Sequence, residues 1–250
     1  MGLRWDPRPG VAMLAVLTLG LMGRSDIVSS AAAEPVSPSI GAADAQAAAA
    51  GDATIAPALP QDFREIAKRS GEPQIPGLAI VYLHPLGDPA HANGWRNIIV
   101  HQTEGPAGSA RSMATAQAKN PTKRGVTLWV EADGTVYWST PENAIPTHGD
   151  GSNRNDNKYI DNSKTYRSVI RTNSIGIEFV GNYPDVARPA TPEQAHALLL
   201  LVRFLQERYD IPAASIYAHN WIDYKDRRYC EGCDLAALAR KLAYQPGQTP

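Results

Sequence analysis

The chain has 250 residues, 43% of them hydrophobic and 20% charged, enough for one globular domain of ordinary core size with extensions, so a second domain is not required. Its formal net charge of -1 offers no broad basic surface for phosphates, which argues against nucleic-acid binding driven by charge. The only cysteines, Cys230 and Cys233, exclude a disulfide-stapled scaffold and need a local explanation.

Near the N-terminus, Arg4 and Arg8 precede an apolar run from Val11 to Met22, and Ala31 and Ala33 supply the small residues that a signal peptidase reads. Residues 1–33 are therefore expected to be a signal peptide, and the mature protein to be exported to the periplasm or secreted. A retained anchor is the alternative. The run is interrupted by glycine and shorter than the roughly 20 apolar residues a span needs, so no permanent membrane anchor is expected. Residues 34–60, rich in alanine with proline, serine and glycine, have almost nothing large and apolar to bury and read as a tether.

The folded domain is expected over residues 61–245. It opens with a helix near residues 61–69, followed by buried strands at 77–83 and 97–101, where β-branched and apolar runs are bounded by Gly and Pro. Residues 126–131 and 135–139 flank Ala132-Asp133-Gly134, whose Asp-Gly pair predicts a tight hairpin with positive φ angles. The alternation in Ser174-Ile175-Gly176-Ile177-Glu178-Phe179-Val180 predicts a strand with Glu178 on the face opposite Ile177 and Phe179. Thr191, Pro192 and Gln194 form a capping box that starts a helix, with Leu198, Leu201, Val202 and Leu205 as its buried stripe. A short strand at 215–218 ends at His219, and a last helix runs over 234–243. Strands alternating with helices indicate an α/β fold, a mixed central sheet flanked by helices.

His101 and His219 each close a short apolar strand, and Cys230 lies in the irregular segment that follows. Two imidazoles and a thiolate are a usual zinc set, and three protein ligands leave a fourth position open, as in catalytic rather than structural sites.

Three motifs, Ile98-Ile99-Val100-His101-Gln102-Thr103-Glu104-Gly105, Asn173-Ser174-Ile175-Gly176-Ile177-Glu178-Phe179, and Ala218-His219 followed by Cys230-Glu231-Gly232, resemble the type 2 N-acetylmuramoyl-L-alanine amidases. That superfamily includes the peptidoglycan recognition proteins, phage amidase lysozymes and anhydromuropeptide amidases. The resemblance covers about residues 97–242. It implies a zinc amidase with His101, His219 and Cys230 as metal ligands, acting on peptidoglycan or muropeptides. Many relatives have Cys-Pro-Gly or Asp-Pro-Gly at the third ligand; here the proline is replaced by Glu231. Cys230 is preferred to Cys233 because it keeps the glycine two residues on.

By the same resemblance, Glu178 is the carboxylate that moves protons between the attacking water and the leaving amine; from strand periodicity alone, a salt-bridged glutamate is the simpler reading. Arg228 falls where some relatives have a lysine that steadies the oxyanion, and is either that group or a solvated loop cation. His148 matches a histidine lining the substrate groove and either contacts substrate or orders its loop. His84, His91 and His196 are assigned no role. Competing readings are a non-catalytic peptidoglycan-binding module and, from Cys230-Glu231-Gly232-Cys233, a thiol-disulfide exchange site, although such a site normally opens a helix directly after a strand. A Cys230–Cys233 disulfide that removes the thiolate ligand is a further variant. A near-neutral single domain is compatible with a monomer.

Overall fold

The computed structural model describes residues 62–103, 105–149, 162–182, 187–223 and 229–242. The expected signal peptide and tether, and Arg228, lie outside these residues. Among the described residues no helix is long and apolar enough to cross a membrane.

The elements in chain order are α1 (Phe63–Lys68), β1 (Ile80–Tyr82), β2 (Asn97–Gln102), α2 (Ala110–Ala118), β3 (Leu128–Val130), β4 (Val136–Trp138), β5 (Ser174–Phe179), α3 (Pro192–Tyr209), β6 (Ile216–Ala218), α4 (His219–Ile222) and α5 (Cys233–Leu242). The six strands form one sheet in the order β1-β4-β3-β5-β2-β6. Only the β3–β4 hairpin is antiparallel; β1–β4, β3–β5, β2–β5 and β2–β6 are parallel. The expected mixed sheet with flanking helices is thus the observed architecture. All six residues of β2 are buried, as its nearly continuous apolar run requires of a central parallel strand.

One face of the sheet carries the main core. Ile98, Val100, Leu128, Val130, Ile175, Ile177 and Phe179 meet Leu198, Leu201, Phe204 and Leu205 of α3 and Leu235 of α5. The capping box holds: Gln194 N donates to Thr191 Oγ1 at 3.0 Å and Thr191 N to Gln194 Oε1 at 3.1 Å. In the hairpin, Gly134 alone takes a positive φ, +82°. Asp133 instead turns the chain by accepting from Thr135 N through Oδ1 at 2.9 Å.

A buried ion pair closes the domain at the far end of α3. Arg208 is 1% exposed and all five of its N–H donors are satisfied. Nε and Nη2 donate to the Glu142 carboxylate at 2.6 and 2.9 Å. The rest reach the carbonyl oxygens of Ala67, Arg69 and Gly87 at 2.6, 2.9 and 2.7 Å. Glu142 also accepts from Gly87 N at 2.6 Å and from the Tyr209 hydroxyl. Burial works against the guanidinium charge, and Glu142 more than restores it.

Candidate metal and catalytic site

Among the described residues, two small apolar patches pack on the second face of the sheet. Ala110 and Ala114 of α2 pack on Val126, Trp129 and Val180, and Ile222 with Val169 packs on Ile99. Between these patches lies a cleft of about 430 Å³ whose lining includes His101, Trp129, His148, Glu178, His219 and Glu231.

Strand register sets up this cleft. His101 pairs with Glu178, and Glu178 with Trp129, across β2, β5 and β3; neighbours in register share a face, so the three side chains form a row. Ile177 and Phe179 enter the opposite core, which leaves the half-buried Glu178 on the cleft side. The small residue at position 176 belongs to the same pattern. A Cβ on Gly176 would lie 3.2 Å from His148 Nδ1 and 2.9 Å from Val126 Cγ1, so glycine lets the His148 ring lie against the strand.

His148 Nε2 is 3.0 Å from the Ser174 carbonyl oxygen, and its Nδ1 is 3.3 Å from His101 Nε2. Burial, then the neighbouring His101, lowers the His148 pKa to about 3, so the ring is neutral at pH 7. A carbonyl only accepts, which assigns the proton to His148 Nε2 and leaves Nδ1 to accept from His101 Nε2–H. The other ring nitrogen of His101, Nδ1, then faces the centre of the site.

Glu231 occupies that centre. Its Oε1 is 3.3 Å from His101 Nδ1 and 3.0 Å from His219 Nδ1, and the residue is 2% exposed. Burial alone would raise its pKa; hydrogen bonds from His101 and His219 reverse this and hold it well below the usual carboxylate range. A carboxylate oxygen converging on two imidazole nitrogens needs a proton or a cation between them. The residues fit a metal: donor atoms around a tetrahedral zinc with bonds of about 2.0–2.1 Å sit roughly 3.3 Å apart, close to both spacings. Among the described residues, His101, His219 and Glu231 form the group able to hold an ion, their ligand atoms all within 4.8 Å of one another.

The third donor in this cluster differs from the sequence expectation. Cys230 is joined to Cys233 in a disulfide, with Cα atoms 5.5 Å apart. The bridge directs the Cys230 sulfur along the turn to the first residue of α5, and the side chain between the cysteines faces the imidazoles. Gly232 makes the turn practicable. Its φ is +76°, and a Cβ there would lie 2.2 Å from the Val100 carbonyl oxygen, so only glycine lets the turn press against β2. Asn220 fastens the turn to α4, donating its backbone N–H to Glu231 O at 3.4 Å and Nδ2 to Cys230 Sγ at 3.5 Å. Of the residues expected from sequence, His101, His219, His148 and Glu178 are brought to one cleft.

Residues 91–233 match the family model described as N-acetylmuramoyl-L-alanine amidase. No curated protein matches the chain. Among solved structures, the chain is similar to a mutant endolysin from Bacillus subtilis, at 21% identity and a TM-score of 0.43 over 66% of this chain and 98% of that one. It is also similar to the endolysin N-acetylmuramoyl-L-alanine amidase LysCS from Clostridium intestinale, at 19% identity and a TM-score of 0.39 over 61% and 86% of the two chains. A selenomethionine AmpD derivative is 16% identical, with a TM-score of 0.44 over 68% of this chain and 97% of that one. Because the family model spans more than half of the sequence, including His101, His148, His219, Glu178 and the 230–233 turn, the chain belongs to the N-acetylmuramoyl-L-alanine amidase family.

Proposed function

We propose that this protein is an exported, zinc-dependent amidase that hydrolyses the amide between the lactyl group of N-acetylmuramic acid and L-alanine in peptidoglycan or its fragments. The observation that carries the reading is the placement of Glu178 next to His101 in register, in the same cleft as a three-donor metal cluster. His101, His219 and Glu231 would hold the ion, which when bound would polarise the scissile carbonyl and make hydroxide available near neutral pH. Glu178 takes the proton of the attacking water and returns it to the alanine nitrogen, so that the amine leaves neutral. Arg228 is the proposed stabiliser of the oxyanion, and the products are the glycan and the free stem peptide.

His148 serves this centre as a positioning group, since its hydrogen bond to Nε2 orients the His101 ring with Nδ1 toward Glu231 and the proposed ion; its ring also borders the cleft where substrate would lie. His148→Ala is expected to weaken metal affinity by about ten-fold, measured by competition with a chromophoric chelator. Unchanged affinity with a raised KM would make His148 a substrate contact alone.

The reading is tested by digesting purified peptidoglycan with the metal-loaded protein and analysing new chain ends. An amidase generates L-alanine amino termini and no new reducing sugars. Wall binding without new amino termini would instead favour the peptidoglycan-binding module. Export is tested by N-terminal sequencing of the mature protein, expected to begin near Glu34.

A further inference from the structure

Glu231 and Gly232 are the two residues enclosed by the Cys230–Cys233 bridge, and Glu231 is the residue whose carboxylate meets both imidazoles. A bridge over so short a separation constrains the unfolded chain less than a long-range one; what it shapes is the turn. Within that turn, Cys233 N donates to Cys230 O at 3.2 Å, and Ala236 N to Gly232 O at 2.9 Å as α5 begins. The ring is anchored outside by Asn220, which follows His219 in sequence and touches both Cys230 and Glu231. One donor, its neighbour in the donor set and the disulfide are thus mechanically connected.

We infer that the Cys230–Cys233 disulfide is a positioning element for the metal centre: it withholds Cys230 from the donor set and fixes Glu231 as the third ligand, so that metal affinity depends on its oxidation state. The inference rests on the metal reading given above. Opening the bridge takes two electrons and two protons. A dithiol supplies them and is itself oxidised to a disulfide, while the sulfur–sulfur bond of the protein becomes two thiols. The turn then loses its covalent closure, and Glu231 is no longer held against His101 and His219.

Cobalt(II) is the probe, because a thiolate ligand gives an intense near-ultraviolet charge-transfer band that a carboxylate does not. The full mature chain is titrated with cobalt as purified, after reduction with a phosphine, as Cys230→Ser/Cys233→Ser, and as Glu231→Gln. The phosphine becomes its oxide, with water supplying the oxygen and the two protons. The oxidised protein is expected to bind cobalt without the thiolate band, and reduction or the double serine variant to weaken binding by about ten-fold, the scale of losses on disturbing groups that orient metal ligands. Glu231→Gln in the oxidised state should bind at least as weakly and lose little more on reduction, since the two changes act on one interaction. A thiolate band in the untreated protein, or the same affinity in both redox states, overturns the inference. The reduction experiment needs no variant to fold. Failure here leaves the amidase reading standing if L-alanine termini still appear, and failure of that assay leaves the metal titrations interpretable.

Discussion

Replacing Glu178 with glutamine is expected to lower kcat by about a hundred- to ten-thousand-fold, the range typical of removing a general acid–base, with metal content and thermal stability unchanged. The amide keeps the size and hydrogen-bonding capacity of the side chain but cannot shuttle a proton. Glu178 is half-buried and points away from the core formed by Ile177 and Phe179, so the change should not disturb packing. Steady-state release of stem peptide, with metal content measured on the same preparation, is the check. Native turnover by Glu178→Gln would remove this residue from the mechanism, and loss of metal together with activity would assign it to the metal site.

The second large effect concerns stability. Arg208→Ala is expected to reduce unfolding free energy by about 3–5 kcal/mol, because removing one partner leaves the other charge buried without compensation. The loss also strands the carbonyls of Ala67, Arg69 and Gly87, each of which receives a guanidinium N–H. Glu142→Ala should cost a similar amount, since Gly87 N and the Tyr209 hydroxyl depend on the same carboxylate. Replacing both by apolar residues of matched volume should cost less than the sum of the single changes. Denaturant unfolding at constant m-value measures this; a loss below about 1 kcal/mol for Arg208→Ala would show that water or neighbouring groups replace the missing partner.

Much of the scaffold was legible because its signals are local. The apolar run ending at His101, the alternation around Glu178 and the Thr191–Gln194 box each act within a few residues, and each sits where expected. The helix α2 was not anticipated. It buries only Ala110, Ala114 and Gln117, too small a stripe to show as a pattern. The N–H groups at and just before its N-terminus are met from a distance: Glu131 accepts from Gly108 N at 2.8 Å and from Ala110 N at 3.0 Å. The Glu142–Arg208 pair, 66 residues apart, was invisible for the same reason. The third donor shows a different limit. Cys230 and Glu231 are adjacent, and residue type favours the thiolate; which side chain faces the imidazoles is decided by the positive φ of Gly232 and by the bridge to Cys233. The sequence points His148 at the groove, but its link to His101 depends on the glycine at 176, whose purpose emerges only when the two segments meet.

On the proposed function, a metal held by His101, His219 and the 230–231 turn drives amide hydrolysis. This is tested most directly by incubating the mature protein with peptidoglycan before chelation, after chelation and after zinc is restored, with products identified by mass spectrometry. Stem peptides beginning with L-alanine are expected in the first and third samples and none in the second, with about one zinc per chain in the active states. Equal release from the fully chelated protein would contradict it.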